Sequence, residues 1–128
     1  MNFPITSLYA ALFTLLVIVL ANIVSAQRGN AGTSILHGDN MTLALWIRRH
    51  GNRMENLPLA LILMGLCEAS GLPALWLHVM GIVLLVARLS HLAGLTVDKP
   101  YTALRLAGGI LTQLVMLGGA GWLVWSQF

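Results

Sequence analysis

Residues 47–67 read IRRHGNRMENLPLALILMGLC, and this stretch decides how the chain must fold. Between Glu55 and Glu68 the sequence has only 12 residues, none of them charged. As an α-helix those residues measure roughly 18 Å, whereas the hydrocarbon core of a bilayer is about 30 Å thick. A helix that spans the bilayer here must therefore take part of the polar segment 47–55 with it. Arg, Asn, His and Glu at membrane depth are costly and are usually retained because they bind or react with something.

The composition of the 128-residue chain is that of a membrane protein. Hydrophobic residues make up 58% of it and charged residues only 9%. Soluble domains carry about 25% charged residues, so too little polar surface remains for a water-soluble domain. The net charge of +3 comes from Lys and Arg residues that lie among apolar runs, which is not the pattern of a nucleic-acid surface. The single Cys67 excludes an intramolecular disulfide.

The apolar runs predict an all-α fold, an integral membrane four-helix bundle in a single domain over residues 1–128. The N-terminus lacks a basic region, so we expect the uncharged run at 5–26 to remain as a span rather than act as a cleavable signal. Asp39 or Asn40 is expected to cap helix two, which should kink near Pro58. The predicted helices cover residues 5–27, 41–69, 74–95 and 101–125.

Glycines are frequent in helix four. Small residues let membrane helices approach closely, although glycine is also simply common in such helices. Both interpretations stay open for Gly108, Gly109, Gly118, Gly119 and Gly121.

Basic residues are distributed unevenly between the loops. The second loop and both tails lack Lys and Arg, so the positive-inside rule places loops one and three in the cytoplasm and both termini outward. Four of the basic residues are expected to act as interfacial anchors or topology signals: Arg28, Arg49, Arg53 and Lys99.

A polar constellation is predicted in the inner half of the bilayer. Arg48, Asn52 and Glu55 are spaced i, i+4 and i+7, which puts them close to one stripe of helix two. Arg88 and His91, spaced i and i+3, share a face of helix three. Counted from the outer helix ends at 1.5 Å per residue, Arg88 and Asn52 lie roughly 24 and 22 Å deep. Glu55 lies about one turn shallower, so we expect Arg88 to meet both Asn52 and Glu55 in a pocket that opens to the cytoplasm and is lined by at least three helices.

The charge balance of this constellation predicts an anionic ligand. Arg28, Arg48, Arg88 and Arg105 bring four positive charges, whereas Glu55 brings one negative charge. Guanidinium groups suit carboxylates, and Glu55 can receive an ammonium group or orient an arginine. The four His and one Cys have no recognised metal-ligand spacing. A purely structural network of these polar residues remains the alternative.

The pattern R-x-H-x-N-x-x-E-x-x-P at residues 48–58 resembles the signature of the MAPEG family, the membrane-associated proteins of eicosanoid and glutathione metabolism. The pairing of Arg88 with His91 and the position of Arg105 at the start of helix four are similar to that family as well. The resemblance covers nearly the whole chain and is greatest to small bacterial members. It implies a location in the bacterial inner membrane.

The resemblance also implies a homotrimer in the lipid bilayer, with glutathione bound between subunits as a co-substrate and without a metal. Members of the family are glutathione transferases, glutathione peroxidases or isomerases of lipid mediators, and one is a non-catalytic helper. An arginine-stabilised thiolate would attack a small hydrophobic electrophile, so no protein nucleophile is required. Arg105 matches the arginine that stabilises the thiolate. The residues that match the glutathione site are Arg28, Arg48, Asn52, Glu55, Arg88 and His91.

Two positions depart from the catalytic members of the family. Leu95 and Asn56 stand where those members usually have tyrosines, and Tyr101 substitutes only if its loop folds back. The chain is therefore predicted either as a glutathione transferase or peroxidase, or as a non-enzymatic membrane protein in which the polar cluster serves assembly. A small multidrug exporter is disfavoured because its intramembrane Glu is missing from residues 5–26. The identities of the thiol and of the second substrate stay open.

Overall fold

The structure is a computed structural model that describes residues 2–128. Its helices are α1 (Pro4–Ala31), α2 (Met41–Ala69), α3 (Ala74–Gly94) and α4 (Ala103–Trp125). α1 packs chiefly on α2 and α3 chiefly on α4, and α2 joins the two pairs because it contacts both α3 and α4. The predicted all-α membrane bundle of four helices is confirmed.

The ends of α1 and the start of α2 are set by local hydrogen bonding and backbone conformation. α1 ends at Ala31, about one turn beyond the prediction, because Gly29 continues the helix and Gly32 adopts the left-handed conformation with φ of 61°. At the start of α2, the Oδ1 atom of Asn40 accepts a hydrogen bond of 3.0 Å from the backbone N–H of Leu43. Of the two predicted caps, Asp39 and Asn40, Asn40 is therefore the N-cap.

The start of α4 is displaced from its prediction by a cap. The Oγ1 atom of Thr102 accepts a hydrogen bond of 3.2 Å from the backbone N–H of Arg105, so the helix begins at Ala103 rather than at Tyr101. Tyr101 is left in the loop, where it is 82% exposed. α2 is one continuous helix across Pro58, and the kink expected there stays a prediction.

Three of the helices, α1, α3 and α4, are long and apolar enough to cross a membrane. α2 has a similar length of 29 residues, but its first half carries Arg48, Arg49, Arg53 and Glu55. These charges make α2 more polar than the other three helices. That α2 also spans the membrane stays a prediction.

The core of the bundle holds large apolar side chains from all four helices, and glycines bring the backbones of α3 and α4 together. A Cβ atom placed on Gly108 would lie 2.5 Å from the carbonyl oxygen of Ala87, which is far inside van der Waals contact. A Cβ atom on Gly109, Gly118 or Gly121 would meet nothing within 4 Å. Close approach therefore explains Gly108, whereas a methyl group at these three other positions of α4 would meet open space. The buried apolar side chains include Tyr9, Phe13, Leu57, Met64, Leu77, Leu84 and Val115.

We expect Gly108→Ala to lower the free energy of unfolding by about 1–3 kcal/mol, because the added methyl group forces α3 and α4 apart. Gly109→Ala is the matched control: its methyl group has open space, and alanine favours a helix over glycine by up to about 1 kcal/mol. Unfolding of the detergent-solubilised variants, followed by circular dichroism, measures both. Equal stabilities for the two variants would contradict the assigned close approach.

Candidate functional site

An exposed ion pair marks the polar face of α2. The Nη1 atom of Arg48 lies 2.8 Å from the Oε1 atom of Glu55, and the two side chains are 56% and 53% exposed. It is the one ion pair found within residues 2–128. The pair spans two turns of one helix face, as the i and i+7 spacing predicts. At the predicted depth of α2, charges face protein or water rather than lipid, so we expect this surface to be covered or hydrated.

A cleft beside the ion pair brings Arg48 and Arg105 together. It has a volume of about 220 Å³ and is an open cleft bordered by the start of α2, the loop after α3 and the start of α4. The Nη1 atom of Arg105 donates a hydrogen bond of 2.6 Å to the carbonyl oxygen of Pro100. This bond holds the guanidinium group against the loop between α3 and α4. The residues that line this cleft are Met41, Ala44, Leu45, Arg48, Leu95, Thr96, Val97 and Arg105.

A second cleft, of about 190 Å³, also borders Arg105 and lies between α3 and α4. His91, Tyr101 and Gln113 supply its other polar groups. Tyr101 therefore lies against the same cleft as Arg105, although it belongs to the loop and not to either helix. Arg105 borders both clefts.

Arg88 ties α3 to both of its neighbours. Its side chain is 2% exposed, and its Nη1 atom donates a hydrogen bond of 3.1 Å to the Oδ1 atom of Asn52 on α2. Its Nη2 atom donates to the carbonyl oxygen of Gly108, at 3.2 Å, and to the Oγ1 atom of Thr112. Arg88 and Asn52 thus meet, as the count along the two helices predicts. Glu55, predicted at a similar level, pairs with Arg48 instead.

The remaining predicted site residues are divided between the bundle and the first loop. His91 is 8% exposed and borders the cleft that Arg105 shares. Arg28 is turned to the first loop, where its Nη1 atom donates to the carbonyl oxygens of Leu36, at 2.8 Å, and Ser34, at 3.2 Å. Within residues 2–128, no three His, Cys, Asp or Glu side chains group closely enough to hold a metal ion.

Arg53 was expected to act as an interfacial anchor or a topology signal, and the first of these expectations is wrong. Its side chain is 1% exposed, and its Nη2 atom donates a hydrogen bond of 3.0 Å to the carbonyl oxygen of Arg88. Its Nη1 atom donates to the carbonyl oxygen of Arg49. The reason is helical periodicity, because Arg53 shares a face of α2 with the buried Leu57 and Met64. That spacing was the sequence signal for a buried arginine.

Arg49 joins the start of α2 to the loop after α3. Its Nη2 atom donates a hydrogen bond of 3.0 Å to the carbonyl oxygen of Leu95, and its guanidinium carbon lies 4.6 Å from the ring centre of Trp46. The hydrogen bond fixes one wall of the cleft that Arg48 and Arg105 border.

Comparison with known proteins agrees with the motif on α2. The model of the MAPEG family matches residues 6–125. Similar proteins named "Inner membrane protein YecN" occur in Escherichia coli strains K12 and O6:H1, each 36% identical over 90 residues that cover 70% of this chain and 69% of theirs. No solved structure matches the chain. Because the family model covers nearly all of the sequence and the relatives align over two thirds of it, the chain belongs to the MAPEG family.

Proposed function

We propose that this protein binds glutathione, or a thiol of similar charge, in the bacterial inner membrane and transfers it to hydrophobic electrophiles or uses it to reduce them. The observation that carries the proposal is that Arg48 and Arg105 border one cleft, with Glu55 paired to Arg48 beside it. Glutathione has two carboxylates and one ammonium group. The guanidinium group of Arg48 suits a carboxylate, and Glu55 can receive the ammonium group, which leaves the guanidinium group of Arg105 for the thiol.

The binding site is completed by a neighbouring protomer in this proposal. The cleft of about 220 Å³ is smaller than the usual ligand pocket of about 300–1,000 Å³. The side chains of Arg48 and Glu55 are more than half exposed, although polar groups at membrane depth avoid lipid. A homotrimer in which these surfaces meet, with the first and third loops on the cytoplasmic side and both termini outward, satisfies both observations.

Each polar residue has a role in this proposal. Arg105 stabilises the thiolate, the reactive form of a thiol that is largely protonated at neutral pH. The thiolate sulfur attacks an electrophilic carbon dissolved in the bilayer, and the leaving group departs with its electron pair. Arg88 holds Asn52 from inside the bundle, so that the amide of Asn52 is fixed beside the ligand. His91 forms the wall behind Arg105, and Arg28 contributes from the first loop.

Arg48→Ala should weaken glutathione binding about tenfold or more, because a hydrogen bond to a charged group contributes about 1.5–3 kcal/mol. Isothermal titration of the purified protein with glutathione measures the change. Lys99→Ala is the matched control, since it removes an exposed cation of the third loop that lies outside both clefts. The binding proposal fails if millimolar glutathione gives no heat with the wild type, or if Arg48→Ala binds it equally well.

A non-enzymatic protein is the second candidate, and two observations favour it. Leu95 and Asn56 replace tyrosines that are usual in catalytic members of the family. In addition, both terminal nitrogens of Arg88 are engaged in bonds between helices of one chain, as expected of a structural element. Turnover of an aryl halide with glutathione decides between the two candidates. If turnover stays at background while Arg105→Ala only weakens the oligomer, the assembly role is correct.

A further inference from the structure

An apolar groove lies on the surface of the bundle between α3 and α4, beside the loop that joins α2 to α3. Its volume is about 460 Å³, within the range of about 300–1,000 Å³ that is usual for ligand pockets. Three of the four tryptophans of the chain line it: Trp76, Trp122 and Trp125. The groove and the cleft of Arg48 and Arg105 lie at opposite ends of α4.

The groove follows the two helices lengthwise, because its lining residues have the same spacing, i, i+3 and i+7, on both sides. They are Pro73, Trp76 and Met80 at the start of α3, and Gly118, Gly121 and Trp125 towards the end of α4. Seven residues of helix measure about 10 Å. Both helices are long and apolar enough to cross a membrane. The groove therefore runs across the bilayer, in the direction of a lipid acyl chain.

Two glycines of α4 keep the groove open. A Cβ atom placed on Gly118 or Gly121 would meet nothing within 4 Å, so packing inside the protomer does not account for their small size. Glycine is also a poorer helix former than alanine. A larger side chain at either position would occupy the groove, so these glycines preserve its volume.

The tryptophans give the groove one fixed wall and a polar mouth. The Nε1 atom of Trp122 donates a hydrogen bond of 2.8 Å to the Oγ atom of Ser70, which fixes this indole ring. Trp76 and Trp125 are 57% and 76% exposed, and their indole N–H groups have no acceptor among residues 2–128. At a membrane interface, tryptophan combines an apolar ring with an N–H donor. The end of the groove at Trp125 therefore suits the polar part of a lipid.

The surroundings of the groove favour a lipid without selection for negative charge. No charged side chain lines it, and the loop at residues 70–73 has no Lys or Arg. The carboxylate of Glu68, the nearest charge along the chain, accepts hydrogen bonds from the backbone N–H groups of Ile5 and Thr6. Exposed apolar side chains such as Val79 and Leu117 continue the groove into the surface of α3 and α4 that faces the bilayer.

We propose that this groove binds one acyl chain of a phospholipid, taken from the leaflet on the side of the loop between α2 and α3. The chain lies between the two helices with its end near Met80 and Gly118. The glycerol ester oxygens lie at the mouth, where the indole N–H of Trp125 donates to them. This site does not rest on the proposed function, because it is remote from the cleft of Arg48 and Arg105.

Native mass spectrometry of the full-length protein in detergent tests the proposal, with phosphatidylethanolamine and phosphatidylglycerol as the probes. We expect wild type to retain one phospholipid per protomer and to bind the zwitterionic and the anionic lipid equally well. Gly118→Leu fills the groove and should lose the bound lipid. Gly109→Leu is the matched control, since Gly109 also has open space on α4 but lies outside the groove, and it should retain the lipid.

A phospholipid with bromine atoms on its acyl chain provides a measurement that does not require a variant to fold. Anomalous diffraction from wild-type crystals grown with it should show bromine between Trp76 and Gly118. The proposal is overturned if wild type retains no phospholipid, or if a folded Gly118→Leu protein retains as much as wild type. A strong preference for phosphatidylglycerol, or a groove filled by side chains of a second copy of the chain, also overturns it.

Discussion

Arg105→Ala should lower the rate of glutathione conjugation about 100-fold while the affinity for glutathione changes little. The guanidinium group stabilises the charge on the sulfur in the proposed mechanism, and loss of one such donor typically costs about 10²–10³ in kcat. Affinity depends mainly on the carboxylate and ammonium groups of the tripeptide, which Arg48 and Glu55 are proposed to bind. The effect should therefore appear in kcat at saturating glutathione, with an aryl halide as the electrophile.

Two further measurements separate a role in thiolate stabilisation from a structural role. Arg105→Lys keeps the positive charge and should recover part of the lost rate. The activity that remains in Arg105→Ala should rise at higher pH, because the thiolate then forms without help from the protein. If Arg105→Ala keeps the wild-type rate and pH profile, Arg105 does not stabilise the thiolate. The Nη1 contact to Pro100 would then be its main role.

Arg88→Ala should have the largest effect on stability, a loss of about 2–5 kcal/mol in the free energy of unfolding. The substitution leaves a cavity at the junction of α2, α3 and α4. It also leaves the side-chain oxygens of Asn52 and Thr112 without their donor. A buried polar group without a partner costs about 1–3 kcal/mol. Denaturant unfolding in detergent micelles measures the loss.

Arg88→Met and Arg28→Ala are the controls for this prediction. Methionine restores much of the volume of Arg88 without its donors, so its stability should fall between those of wild type and Arg88→Ala. Arg28→Ala removes an arginine whose hydrogen bonds lie in the first loop, and we expect a loss of about 1 kcal/mol or less. An Arg88→Ala protein within about 0.5 kcal/mol of wild type would show that the three-helix junction does not depend on this side chain.

The number and order of the helices were predictable because the apolar runs and their breaks are local. Asn40 was recognisable as a cap for the same reason, since the hydrogen bond to Leu43 depends on three residues of chain. The ends of α1 and α4 were less predictable. Either Gly29 or Gly32 could end α1 by sequence, but only Gly32 takes the left-handed conformation that ends the helix. Thr102 was not recognised as the cap that delays α4.

The candidate site was predictable where helical spacing decides it. Arg48 and Glu55 pair along one face of α2, and the rise per residue brought Arg88 to the level of Asn52. The roles of the other arginines were not predictable from charge and loop position. Arg53 was expected at the interface, but it lies in the core, where it contacts the backbone of another helix.

The sequence by itself determined that this protein is helical, that it belongs in a membrane and that polar residues follow one stripe of α2, because hydrophobicity and helical periodicity act over a few neighbouring residues. Only the tertiary structure decided which arginines face outward and which are enclosed. That choice depends on how α2 rotates against α3 and α4. Contacts between residues distant along the chain hold that rotation, such as the hydrogen bonds of Arg53 to the carbonyl oxygen of Arg88 and of the Cys67 thiol to the carbonyl oxygen of Gly119.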